Sequence, residues 1–306
     1  MTDAHILVAA LATVASAEPG AVARSYAADM KSAVMELWRF RDLLYQLTLR
    51  DIRIRYKQTV FGFAWALFMP MMIVLAGCLV RFVITGAGPG TGSPARVTVA
   101  GLSIKALAWA FFIGTINFST PSLTGNLQLV TKVYFPRAVL PLSATLTQCF
   151  DTVIASGALV LVLPFLGAQA SVALAWVPVL AALLFLLTMA ASLFVSCANL
   201  FYRDVKYIVQ VLVMFGIFFT PVFFEPALLS PKLATIVMLN PLAPVLEGLR
   251  LAIVDGHNLL SPLQGPAGAV AWSPSWLLSA ALWGVGGLLA SATLFHRAEF
   301  VFAEYA

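Results

Sequence analysis

The stretch Arg50-Asp-Ile-Arg-Ile-Arg-Tyr-Lys57 decides how this chain is read, because an apolar run over residues 60–84 follows it directly. Cations at the mouth of a segment long enough to cross a bilayer mark the side on which the chain starts. The helical wheel extends this block backwards. With successive residues about 100° apart, Arg39, Asp42, Gln46, Arg50, Arg53 and Lys57 fall on one face about 80° wide. Leu37, Phe40, Leu43, Leu44, Leu47 and Ile54 take the other side, interrupted by Asp51 and Arg55. A basic face opposed to an apolar one predicts a helix lying in the membrane interface over residues 36–57. An ordinary juxtamembrane helix carrying positive-inside charge is the plainer reading, and the two are compatible.

Composition agrees with a chain solvated by lipid. Of 306 residues, 61% are hydrophobic and 10% charged, against about 25% charged in a soluble domain. Mean hydropathy is +0.95. Six apolar segments can be drawn, over residues 60–84, 106–123, 140–165, 176–201, 205–224 and 276–295. They leave no stretch for a soluble catalytic domain. The net charge of +5 does not point to nucleic acid, because the basic residues sit at the ends of the apolar segments. Cys78, Cys149 and Cys197 are far apart within apolar runs, and His5, His257 and His296 are equally scattered. That spacing suggests neither a disulfide framework nor a metal site.

Residues 1–35 are expected to be a cytoplasmic tail. Residues 6–14 followed by Ala15-Ser16-Ala17 imitate a signal-peptide core, but no basic residue precedes them. With both termini cytoplasmic, 13 of the 18 basic residues fall inside. Arg81, Arg96, Lys105, Lys232 and Arg250 fall outside, with Arg81 snorkelling to its nearer interface. The connection over residues 225–275 is oddly apolar for a loop, and its Pro and Gly residues cut it into pieces too short to cross. Short re-entrant helices suit it best. The fold class is therefore an all-α membrane protein: six transmembrane helices, an interfacial amphipathic helix before them, and re-entrant helices between spans five and six. Residues 58–306 form the membrane domain.

Chemistry-bearing motifs are few. No Gly-x-x-x-x-Gly-Lys-Ser/Thr occurs, so the chain has no P-loop for nucleotide phosphates. Asp151 is the one acid well inside a span, about 15 Å along the helix from Pro141. A proton relay would need further acids, so pairing with Gln148 or a polar residue on a neighbouring helix is the favoured role. Trp65, Phe68, Phe215, Phe218 and Phe219 are candidate channel aromatics on which sugar rings would stack. Lipid packing is their plainer assignment.

Five motifs, in order, carry a family resemblance. They are Arg50-Asp-Ile-Arg-Ile-Arg-Tyr-Lys-Gln-Thr-Val-Phe-Gly-Phe-Ala-Trp-Ala-Leu-Phe-Met-Pro70, Leu129-Val-Thr-Lys-Val-Tyr-Phe-Pro-Arg-Ala-Val-Leu-Pro141, Asn199-Leu-Phe-Tyr-Arg-Asp-Val-Lys206, Asn240-Pro-Leu-Ala-Pro-Val-Leu-Glu-Gly-Leu-Arg250, and Phe295-His-Arg-Ala-Glu-Phe-Val-Phe-Ala303. Together they resemble the permease subunit of polysaccharide-exporting ABC transporters, which export O-antigen, capsule and teichoic-acid polymers. Phe61-Gly62-Phe63 departs from the family's more usual Leu-Gly-aliphatic run.

The resemblance implies a non-enzymatic subunit of the bacterial inner membrane that serves lipopolysaccharide or similar polymer biosynthesis. Two copies would pair above two copies of a separate ATP-binding subunit, which holds the ATP and magnesium; this chain would carry no cofactor. The substrate would be a polyprenyl-linked glycan, with membrane lipid as surroundings. Thr131, Lys132, Val133, Tyr134, Phe135, Pro136 and Arg137 would couple to the ATPase. Arg50, Arg53, Arg55 and Lys57 would line the interfacial substrate entrance, and Glu247 with Arg250 would belong to an outer gate loop. Alternatives are an ABC efflux permease for a small molecule or drug, and a secondary transporter.

Overall fold

The computed structural model describes residues 35–57, 59, 62–85, 95–132, 135–168, 171–264, 270–299 and 302. The expected tail over 1–35 lies outside these, apart from Met35. Ten α-helices can be followed among the described residues: α1 (Arg41–Tyr56), α2 (Ala64–Thr85), α3 (Ala95–Ser119), α4 (Leu127–Lys132), α5 (Val139–Val162), α6 (Trp176–Phe201), α7 (Val205–Phe219), α8 (Pro231–Met238), α9 (Leu242–Ile253) and α10 (Pro274–Ala298). A two-stranded antiparallel ribbon, β1 (Leu263–Gln264) with β2 (Val270–Trp272), precedes α10.

Four helical stretches are long and apolar enough to cross a membrane: Arg96–Ser119, Val139–Leu166, Val172–Phe201 and Pro274–Ala298. The bent pair α8–α9, at 107°, is either a broken span or a re-entrant hairpin. At its corner, Asn240 and Pro241 interrupt an otherwise apolar run. The apolar parts of α2, over Ala64–Val80, and of α7 are shorter. α7 was expected to reach residue 224 but stops at Phe219: Thr220 is extended and Pro221 cannot continue a helix. Fifteen residues rise only about 22 Å, less than the hydrocarbon core.

Helix ends follow local rules. The Ser171 hydroxyl accepts from the Ala173 amide, 3.2 Å away, just ahead of α6. Ser273 caps α10, with Pro274 at its first position. α3 is the hub, touched by α2, α5, α6, α7 and α9. Its burial joins Trp109 and Phe111 to Leu180, Leu246 and Trp272 in the main core. The closest partners are α6 and α10. Gly287 lies at that contact, where an added Cβ would meet that of Ala190 at 3.5 Å, an ordinary van der Waals distance.

α3 also overturns a boundary. The second span was drawn from residue 106 with Lys105 outside it, yet α3 starts at Ala95 and Lys105 is buried mid-helix. A charge ends a buried helix only when nothing neutralises it, and Lys105 has a partner.

A second cluster gathers at the end of the bundle that carries α1. It joins Leu47 of α1 to Leu123, Phe135, Leu140, Leu193, Leu200, Phe295 and Phe302, with Leu37, Phe40, Leu43 and Leu44 against it. Most of the apolar side of α1 is therefore pressed onto protein, whereas Ile54 is exposed.

Candidate functional site

The two interruptions in the apolar side of α1 are its polar contacts with α5. The Asp51 carboxylate accepts from the Ser143 hydroxyl at 3.4 Å. One turn on, the Arg55 guanidinium forms an ion pair with Asp151 and donates to Gln148 at 3.2 Å. The Tyr56 hydroxyl donates to the other Asp151 oxygen at 2.5 Å. Arg55 also lies over the Phe118 ring, 3.9 Å from its centroid. Tyr56, Phe63 and Phe150 pack around the pair. Asp151 thus holds α1 to α5, and its partner comes from the basic helix; Gln148, the partner considered from sequence, serves the same arginine.

This changes the reading of the four proposed entrance cations. Arg55 is spent on Asp151, so it is not available to an anionic headgroup without breaking that pair. Arg50 pairs with Asp51 at 2.8 Å and reaches Asn126 at 3.4 Å. Arg53 and Lys57 are the two that face outward.

The proposed coupling segment lies at the same end. Val133 and Tyr134 lie outside the described residues, and α4 carries Thr131 and Lys132 on its last turn. Phe135 and Pro136 are buried, Phe135 within the α1-end cluster. Within this chain, the Arg137 backbone amide donates to the Glu299 carboxylate and its guanidinium to the Glu299 carbonyl. Burial pushes the Glu299 carboxyl up from its usual value, with Arg137 opposing that shift.

At the opposite end, α9 carries Glu247 and Arg250, which meet at 2.8 Å. Sequence alone did not show that Lys105 joins them. Its ammonium is 2.6 Å from Glu247 and donates to the Phe224 carbonyl at 3.0 Å. Arg250 also pairs with Asp255 at 2.9 Å. Side-chain exposure is 2% for Lys105 and 1% for Glu247. Gly101, one turn before Lys105, gives Arg250 its space: a Cβ there would lie 3.2 Å from the arginine stem. Lys105 gave no signal because its partner is remote in sequence.

The candidate channel aromatics Trp65 and Phe68 on α2, and Phe215, Phe218 and Phe219 on α7, are all exposed on the single chain. Trp65 and Phe68 stack edge to face with centroids 5.2 Å apart. The two helices lie on the periphery of α3 and are more exposed than α6 or α9.

The chain is 25% identical over 220 residues to an O-antigen export system permease protein RfbA of Klebsiella pneumoniae, covering 70% of this chain and 81% of that one. A Myxococcus xanthus protein of the same name is 27% identical over 232 residues, covering 74% and 85%. The family model for the ABC-2 type transporter matches residues 42–254, from the first turn of α1 to the end of α9. A match over more than half its length shows that this chain belongs to the ABC-2 type transporter family, as a multi-pass membrane permease.

Proposed function

We propose that this permease exports a polyprenyl-lipid-linked polysaccharide, of O-antigen type, across the inner membrane. The similarity to O-antigen export permeases over 70–74% of the chain carries the reading. ATP hydrolysis belongs to a separate subunit, present in two copies beneath two copies of this chain. Six spans are formed when α2 and α7 join the four longer helices, with both termini and α1 on the cytoplasmic side. The excess of cations at the α1 end supports that orientation.

In this scheme α1 lies along the interface, and Arg53 and Lys57 attract the anionic headgroup of the carrier. The α4 turn and the residues after it, Thr131 to Arg137, seat in the ATP-binding subunit. Trp65, Phe68, Phe215, Phe218 and Phe219 offer ring faces to the glycan where two copies meet. The α8–α9 hairpin closes the outer side, fixed to α3 through Lys105, Glu247 and Arg250.

Deleting the gene in a polymer-producing strain tests the reading. Surface polysaccharide should disappear and a lipid-linked intermediate should accumulate in the cytoplasmic leaflet. An unchanged polymer profile with new sensitivity to a drug would favour a small-molecule efflux permease instead.

A further inference from the structure

We infer that Glu299 is a positioning residue that sets the coupling segment in place for the ATP-binding subunit. The inference rests on the docking role proposed for residues 131–137, and it assigns the end of α10 a part in that role.

Beyond Lys132, where α4 ends, the described part of the segment resumes at Phe135. Its hold comes from the far end of the chain. The Glu299 side chain accepts from the Arg137 amide, and the Glu299 carbonyl accepts from the Arg137 guanidinium. One residue thus grips both the backbone and the side chain of the other. The guanidinium also lies 5.9 Å from the centroid of the Phe302 ring. Phe302 is fully buried and packs edge to face on Phe295 at 5.2 Å and on Phe201 at 5.8 Å. Phe135, two residues before Arg137, enters the same cluster, as does Leu47 of α1. The coupling segment, α1 and the end of α10 therefore share one apolar knot, and the Arg137–Glu299 contact is the polar clasp across it. A force applied to the segment reaches α10 and α1 together.

The test uses the full chain expressed with its ATP-binding subunit, reading the ATP-binding subunit retained per inserted permease. Glu299→Ala removes a charge-assisted acceptor and should lower retention by roughly tenfold or more. Glu299→Gln keeps an oxygen for the Arg137 amide without the charge, so it should restore part of the loss and stay about threefold below the parent. Parent-level retention in Glu299→Gln overturns the inference, and this variant decides the matter where Glu299→Ala fails to insert. Lys132→Glu, outside the clasp, separates the two claims. If it abolishes retention while the Glu299 variants keep it, docking stands and the clasp falls. If Lys132→Glu retains the subunit fully, the docking role itself fails.

Discussion

Arg55 and Asp151 are each tolerable in an apolar setting because they face one another. Asp151→Leu alone would leave a guanidinium between α1 and α5 with no counter-charge, at a cost of about 3–5 kcal/mol. Arg55→Met in the same chain should recover most of that loss, measured as thermal unfolding in detergent. A single variant as stable as the parent would show that the pair is not formed. The Glu247 cluster obeys the same logic with a different weighting. Glu247 is shared by Lys105 and Arg250, so Glu247→Gln strips both cations of their common partner. Lys105→Met leaves Glu247 still paired with Arg250, which also has Asp255. The glutamate variant should therefore unfold at a lower temperature than the lysine variant. The reverse order would contradict this arrangement of charges.

Among the elements, α1 separates what pattern reveals from what only packing reveals. Its helical period was legible from residues 39–57, and so was its place just before the first apolar helix. Which surface the apolar side covers was not. Leu47 and Ile54 read alike on a wheel, yet one is buried against Phe135 and Phe302 and the other is exposed. Leu47→Ala should cost about 2–4 kcal/mol through the cavity it leaves, whereas Ile54→Ala should be nearly neutral in detergent. Equal effects would mean that α1 does not dock on the bundle. The same limit explains Lys105 and Asp51. A charge in an apolar run looks like a helix end or a flaw when its partner lies on a distant segment. α6, by contrast, has the bounds expected of it, residues 176–201: a 3-10 turn over Val172–Ala175, capped by Ser171, leads into it, and extended Tyr202 ends it.

For the molecule as a whole, the contrast is between a packed centre and two outlying helices. α3 is covered on several sides, while α2 and α7 expose Trp65, Phe68, Leu212, Phe215 and Phe219. In a pair of copies arranged as proposed, a single cysteine at Leu212, with the three native cysteines replaced, should cross-link one copy to the other in native membranes. Cysteine at Leu282 on α10 should not; cross-linking at α10 alone would move the interface to the other side. The corner of the α8–α9 hairpin has a different consequence. Asn240 binds its own turn there, accepting from the Leu242 amide at 3.1 Å, and donates to the Thr220 hydroxyl at 3.0 Å. A hairpin tip whose polar groups are paired internally needs no water to sit below the membrane surface. In the export scheme proposed above, the corner serves as a dry stopper that lets the cell's proton gradient survive a pathway wide enough for a polymer. Asn240→Ala wets that stopper, and vesicles holding the variant should lose an imposed pH difference faster than those holding the parent.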